Sequence, residues 1–160
     1  MGAVLFEDSR QQRDKHEAKH AWWGEAGIEL IRTKLAFGDY CLPPMVSVDT
    51  KASIAELAMD IDQEHDRFRR ELTGARDAGV QLVVLVENAD GVASLEDLAR
   101  WDESPSDFAK RRFAQRRLHG ARLAKACMTM QERYGVRFEF CAPDEAAARI
   151  VELLAEGGAR

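Results

Sequence analysis

Phe37-Gly38-Asp39-Tyr40 and, a short way on, Val46-Ser47-Val48-Asp49-Thr50-Lys51 decide how this chain is read. Side chains alternate faces along a strand, so Asp49 and Lys51 project from one side of the sheet and Thr50 from the other. Asp39 sits at the head of the turn that leads into this strand. Two carboxylates suit a hard cation, and an ammonium group beside them suits a phosphate or an attacking water. An acid-x-lysine strand by itself is common on solvated faces, so the weight falls on what surrounds it.

Leu5-Phe6-Glu7-Asp8-Ser9-Arg10 reads as a strand ending in an acid and an arginine; beyond Lys51 a helical stretch carries His65-Asp66-Arg67-Phe68. Together with Gly38-Asp39 and Asp49-Thr50-Lys51, these segments resemble the nuclease domain of the XPF-type structure-specific endonucleases. That group lies within the PD-(D/E)xK superfamily, and its pattern runs D-S/T-R, G-D, E-R-K, D-G-R-L. Glu87-Asn88, Ser94-Leu95-Glu96-Asp97-Leu98 with Trp101, Arg122-Leu123-Ala124-Lys125 and Tyr134 to Cys141 are similar to its compact stand-alone phage and prophage members. The resemblance implies an α/β fold, a three-layer α/β/α restriction-endonuclease-like domain with a mixed central sheet. It also implies hydrolysis of DNA phosphodiesters, with Asp39, Asp49 and Lys51 as catalytic residues. Asp39 and Asp49 would bind Mg²⁺ or Mn²⁺, aided by Asp8 through a water and by the Thr50 main-chain carbonyl. Lys51 would orient the nucleophile, and Arg10 and Arg67 would grip the phosphate.

Three positions depart from the family pattern. Asp49 replaces the family glutamate and is one methylene shorter. Ala55 stands four residues after the lysine, where the family has an acid, and Glu56 is one step out of place. Glu71 replaces a common glutamine and is expected to pair with Arg67 at i,i+4. The tandem helix-hairpin-helix domain of larger relatives is absent from these residues, so a preference for branched junctions is not simply inherited.

With 160 residues, 46% of them hydrophobic and 32% charged, the chain fits one globular domain over 1–160. No apolar run approaches the roughly 20 residues of a membrane span, and no signal-peptide core is evident. The expectation is a cytoplasmic protein, bacterial or in a phage-infected cell, with DNA and no membrane as its partner; monomer and homodimer both stay open. Cys41, Cys127 and Cys141 are odd in number and widely spaced, which suits reduced thiols over disulfides or a zinc ribbon.

A net charge of −5 argues against nucleic acid until its distribution is considered. The stretch from Pro105 to Arg133 holds eight basic residues against two acids. A solvated helix face is the bland explanation; phosphate contact through Arg112 and Arg116, close on helical spacing, is the sharper one.

The periodicity predicts a strand at Ala3-Glu7, a helix from a Ser9/Gln12 capping box to about Gly27, and a hairpin of Glu29-Ala36 with Met45-Lys51 around Pro43-Pro44. A helix bearing Ile54, Leu57, Ile61, Phe68 and Leu72 follows, with His65 on its inward stripe. Gln81-Glu87 reads as a doubly buried strand. Helices at about Leu95-Arg100 and Ser106-Arg133, a strand at Val136-Phe140 and a helix from Asp144 complete the chain.

His16-Glu17-Ala18-Lys19-His20 matches H-E-x-x-H literally, the pattern of zinc peptidases. No later histidine completes it in metzincin form, and the segment falls between two strands of the nuclease-like pattern. A solvent-exposed, mildly basic helix is expected instead. Trp22, Trp23 and Trp101 are expected mainly in the core. A catalytically inactive DNA-binding or interaction module on the same fold is the main rival; retention of Asp39, Asp49 and Lys51 favours activity.

Overall fold

The computed structural model describes residues 4–42 and 46–158, and the Pro43-Pro44 turn lies outside them. Six strands form one mixed sheet: β1 (Val4–Asp8), β2 (Glu29–Thr33), β3 (Tyr40–Leu42), β4 (Val46–Lys51), β5 (Gln81–Glu87) and β6 (Arg137–Cys141), ordered β2-β1-β3-β4-β5-β6. The helices are α1 (Glu17–Glu25), α2 (Ile54–Asp62), α3 (His65–Asp77), α4 (Leu95–Arg100), α5 (Pro105–Lys110), α6 (Gly120–Tyr134) and α7 (Ala146–Gly158). Two apolar layers sandwich the sheet. Leu82, Val84 and Val86 of β5 pack with α2, α3 and α6, whereas Val83 and Leu85 pack on the opposite face with Trp23 and α7. This is the expected α/β/α restriction-endonuclease-like arrangement.

The hairpin differs from the expected one. β2 pairs in parallel with β1, Leu5 opposite Leu30, because α1 carries the chain across and returns it alongside its starting strand. The strand antiparallel to β4 is the short β3, with Tyr40 opposite Val48. β3 in turn pairs antiparallel with β1, so it sutures the two parallel blocks together. Gly38 makes the approach to β3 workable: its φ is +71°, and a Cβ there would lie 3.0 Å from the Val48 carbonyl oxygen.

Three expected helices also change. Ser9 caps nothing; its N–H donates to the Thr33 carbonyl at 2.8 Å, and a 3₁₀ turn at Arg13–His16 precedes α1. The long helix after β4 breaks at Gln63-Glu64 into α2 and α3, which turns His65 out to solvent instead of into the core. The helix drawn from Ser106 to Arg133 is interrupted between Lys110 and Gly120, so Arg112 and Arg116 stand on a loop and not on one helical face. Gly120 lets α6 start against α4: a Cβ there would overlap the carbonyl oxygens of Leu98 and Trp101.

Candidate active site

Alternation along β4 builds the site. Val46 and Val48 belong to the α7-side layer, which leaves Asp49 and Lys51 facing α2 and α3. Both are 7% exposed. Lys51 Nζ lies 2.8 Å from Asp49 Oδ2, contacts Asp60 Oδ2 on α2, and stands 5.5 Å from the centre of the Phe68 ring on α3. The approach to Asp49 Oδ2 is poorly aligned for a hydrogen bond, so that oxygen and Asp60 Oδ2 are buried charges met by an ammonium without directed bonds. Along the edge of β4 that faces β3, the Thr50 N–H and hydroxyl donate to Asp39 Oδ2 at 2.7 and 2.8 Å. Both Thr50 bonds go to one oxygen. The strand ladder directs the Thr50 carbonyl to the same side, next to Asp39.

Crowding of carboxylates in a desolvated site sets the electrostatics. Burial first, and then the neighbouring Asp39, push Asp49 up to about 7. Burial likewise raises Asp39 against the two Thr50 bonds. Burial disfavours the Lys51 charge, but Asp49 and Asp60 outweigh it and hold the ammonium above its ordinary range. Asp8 moves the other way: burial opposes its charge, yet Arg10, whose Nε donates at 2.7 Å, holds it below the usual carboxylate range.

These groups line one cleft of about 590 Å³ with Asp8, Arg10, Asp39, Asp49, Lys51, Asp60, Arg67, Arg70, Glu71 and Lys15 on its walls. Of the expected site residues, Asp8, Arg10, Asp39, Asp49, Lys51 and Arg67 are therefore here; Thr50 reaches the site through its bonds to Asp39, whereas Arg112 and Arg116 are not part of it. Arg10 spans Asp8 and the Leu35 carbonyl, 2.9 Å away. Arg67 contacts Asp60 at 3.3 Å and Glu64, so its expected i,i+4 partner is not Glu71. Glu71 instead accepts from the Gly38 N–H at 3.1 Å, steadying the turn that carries Asp39. Glu56 is consumed at the start of α2, accepting from the Ala52 N–H at 2.7 Å. Asp60 is the site residue the sequence reading missed. Its signal was present: a carboxylate between Leu57 and Ile61, on the apolar stripe of α2.

Both histidines of the H-E-x-x-H match are engaged by neighbouring side chains. His20 Nε2 meets Glu7 at 2.6 Å and His16 Nε2 meets Gln11 at 2.5 Å, and among the described residues no three His, Cys, Asp or Glu side chains gather as a ready metal cage. Nor is the segment plainly solvated: Lys19 is buried and lies 2.8 Å from Glu87. Trp23 is core, its indole N–H donating to the Ala147 carbonyl at 3.0 Å, while Trp22 is 38% exposed.

With this geometry in hand, two solved structures of XPF from Aeropyrum pernix match the fold. One superimposes with a TM-score of 0.66 at 19% identity, the other, described as a complex with DNA, with 0.64 at 17%. The chain has an XPF-like fold. Each match covers 96% of this chain and 64% of the other, so the chain spans under two thirds of those relatives. No protein-family model matches it, and no curated protein does. No helix among the described residues is long and apolar enough to cross a membrane.

Proposed function

We propose that this chain is a divalent-metal-dependent DNA endonuclease, hydrolysing phosphodiesters in branched or flapped DNA during repair, recombination or phage DNA processing. The observation that carries the reading is the convergence of Asp39, Asp49 and Lys51 in one cleft rimmed by Arg10, Arg67, Arg70 and Lys15. The donor set fits Mg²⁺ or Mn²⁺. Such ions accept one or two carboxylates plus waters and substrate phosphate oxygens, and do not need a dedicated protein cage. Asp39 and Asp49 would hold the ion with the Thr50 carbonyl, and two carboxylates crowded out of water gain from a cation between them. When bound, it would acidify a coordinated water and offset charge on the phosphate.

The chain's own groups do the rest. Lys51, fixed between Asp49 and Asp60, holds a positive charge where the phosphate becomes more negative. Thr50 orients Asp39, and Asp60 positions Lys51. Arg10 keeps Asp8 ionised, while the exposed part of its guanidinium and that of Arg67 face the approaching phosphate.

The test is a panel of labelled flap, fork, junction, duplex and single-stranded DNAs, with and without Mg²⁺. The native chain should cut only with the ion, and Asp49→Asn should remain folded and cut nothing. Full cutting by that variant refutes the assignment. Ala55, standing where similar nucleases have an acid, favours a second reading as a DNA-binding module without activity. Binding without cleavage across the panel would establish that reading.

A further inference from the structure

The loop between α5 and α6 presents an aromatic ring in a way its own packing does not require. Phe113 is 94% exposed, and its φ of +66° makes it the one non-glycine residue with positive φ among those described. A bulky residue seldom adopts that conformation unless its surroundings impose it. Here they do. Glu103, 2% exposed, gathers both ends of the loop: its carboxylate accepts from Arg111 Nη2 at 2.8 Å and from the Leu118 N–H at 2.9 Å, and its carbonyl accepts from Arg117 Nε at 2.9 Å. The Glu103 N–H closes the base by donating to the Leu118 carbonyl at 3.1 Å. A buried acid thus fixes a loop whose tip is a solvent-facing ring.

Charge and continuity indicate what meets the ring. Arg112 lies over it at 5.9 Å, and Arg116, Arg117 and Arg122 line the cleft beside it. That cleft shares Arg111 and Leu118 with a second one, which also contains Lys15; Lys15 in turn lines the cleft of Asp49 and Lys51. The clefts are therefore continuous from the candidate active site to Phe113, and in the two outer ones the cations outnumber the acids Glu56 and Asp62, of which Asp62 is paired with Arg122. A single exposed ring gives only a small apolar core for a protein interface, whose buried centre is more apolar than the rest even though arginine is enriched there. The ring is well suited to one nucleobase, whose face stacks on it while the phosphates meet the arginines.

We infer that Phe113 is a stacking platform for an unpaired or terminal base of DNA, so that the chain binds DNA exposing a base face, at a fork, flap or end, better than continuous duplex. This deepens the nuclease reading and rests on it. An unbroken duplex hides its base faces and would meet only the arginines.

The experiment measures binding of a fork carrying 2-aminopurine at its branch and of a relaxed, covalently closed circular duplex, with every protein in an Asp49→Asn background. Phe113→Ala should weaken fork binding about tenfold, the loss expected for one base–aromatic stack, and leave binding of the circle within about twofold. Phe113→Trp should retain fork binding, and quenching of the 2-aminopurine should persist with Phe or Trp and vanish with Ala. Equal effects on both DNAs, or on neither, overturn the inference. So does sedimentation showing that Phe113→Ala dissociates a dimer, which would make the ring a contact between copies. If the native chain binds no DNA, the nuclease reading falls as well; a silent Phe113→Ala in a chain that does bind refutes the stacking role alone.

Discussion

Replacing Lys51 by Met tests the electrostatic logic of the cleft without relying on catalysis. The ammonium sits between Asp49 and Asp60, and all three groups are at most 7% exposed. Methionine keeps much of the side-chain volume against Phe68 and removes only the charge. Deleting one member of a buried ion pair leaves charge uncompensated and costs about 3–5 kcal/mol. Against a total stability of roughly 5–15 kcal/mol the variant should still fold. For a domain of this size, with about 2–4 °C lost per kcal/mol, its melting temperature should fall by roughly 10 °C, read by circular dichroism. Urea unfolding of Lys51→Met, Asp60→Asn and the double variant then gives a cycle. The double variant should be more stable than the sum of the single losses allows, by about 1–3 kcal/mol, because the second substitution removes a charge the first left stranded. Lys51→Met as stable as the native chain, with additive losses, would refute the claim that Lys51 neutralises these two acids.

Gly120→Ala should be severely destabilising, since its methyl would meet the backbone carbonyls of Leu98 and Trp101; a native-like melting temperature would contradict the close approach of α4 and α6. Divalent binding should be visible without DNA: at roughly tenfold above its dissociation constant, Mg²⁺ should add about 1.4 kcal/mol to native stability, and nothing to the Asp39→Asn, Asp49→Asn double variant. Burial and the Lys19 charge lower His16 from its ordinary 6.5 to about 4. The unfolded chain then binds the extra proton, so stability present above pH 6.5 is lost as pH falls toward 4. Discounted for a partly exposed ring, the loss is about 1 kcal/mol at pH 5, and His16→Phe should flatten that part of the profile. Reversing Arg112 and Arg116 to Glu should weaken all DNA substrates alike and lower the log-affinity against log-salt slope by about one per lost contact; an unchanged slope would remove both from the DNA path.

Local pattern carried much of this fold. The apolar run from Gln81 to Glu87 is a doubly buried central strand, and the alternation of Val48, Asp49, Thr50 and Lys51 places the acid and the lysine on one face. What stayed hidden depends on partners remote in sequence. β2 alternates between exposed and half-buried positions and looks the same from sequence whether it joins a hairpin or lies parallel to β1. β3 has only three residues, too few for any periodicity, yet its bonds to both neighbours complete the sheet. Arg112 and Arg116 occur at helical spacing, yet that stretch is a loop whose ends are tied by Glu103 through Arg111 and Leu118, contacts remote from any local pattern.

The H-E-A-K-H segment shows why a chemical motif needs its surroundings. Its histidines are close enough for ring centres 6.4 Å apart, but each ring nitrogen that makes a bond is committed elsewhere: His20 to the fully buried Glu7 and His16 to Gln11. Glu7 is also held by Arg32 of β2, and Lys19 by Glu87 at the end of β5. The charges therefore bind α1 to three strands, β1, β2 and β5. Removing a single partner would leave a buried charge unmatched, the same penalty that makes Lys51 hard to replace. The two faces of the sheet use one physical device for different ends. On the α1 face the buried ions are paired and lock a helix in place. On the α2 and α3 face Asp39 and Asp49 remain under-compensated, and the proposed uptake of a cation and a phosphate rests on that imbalance.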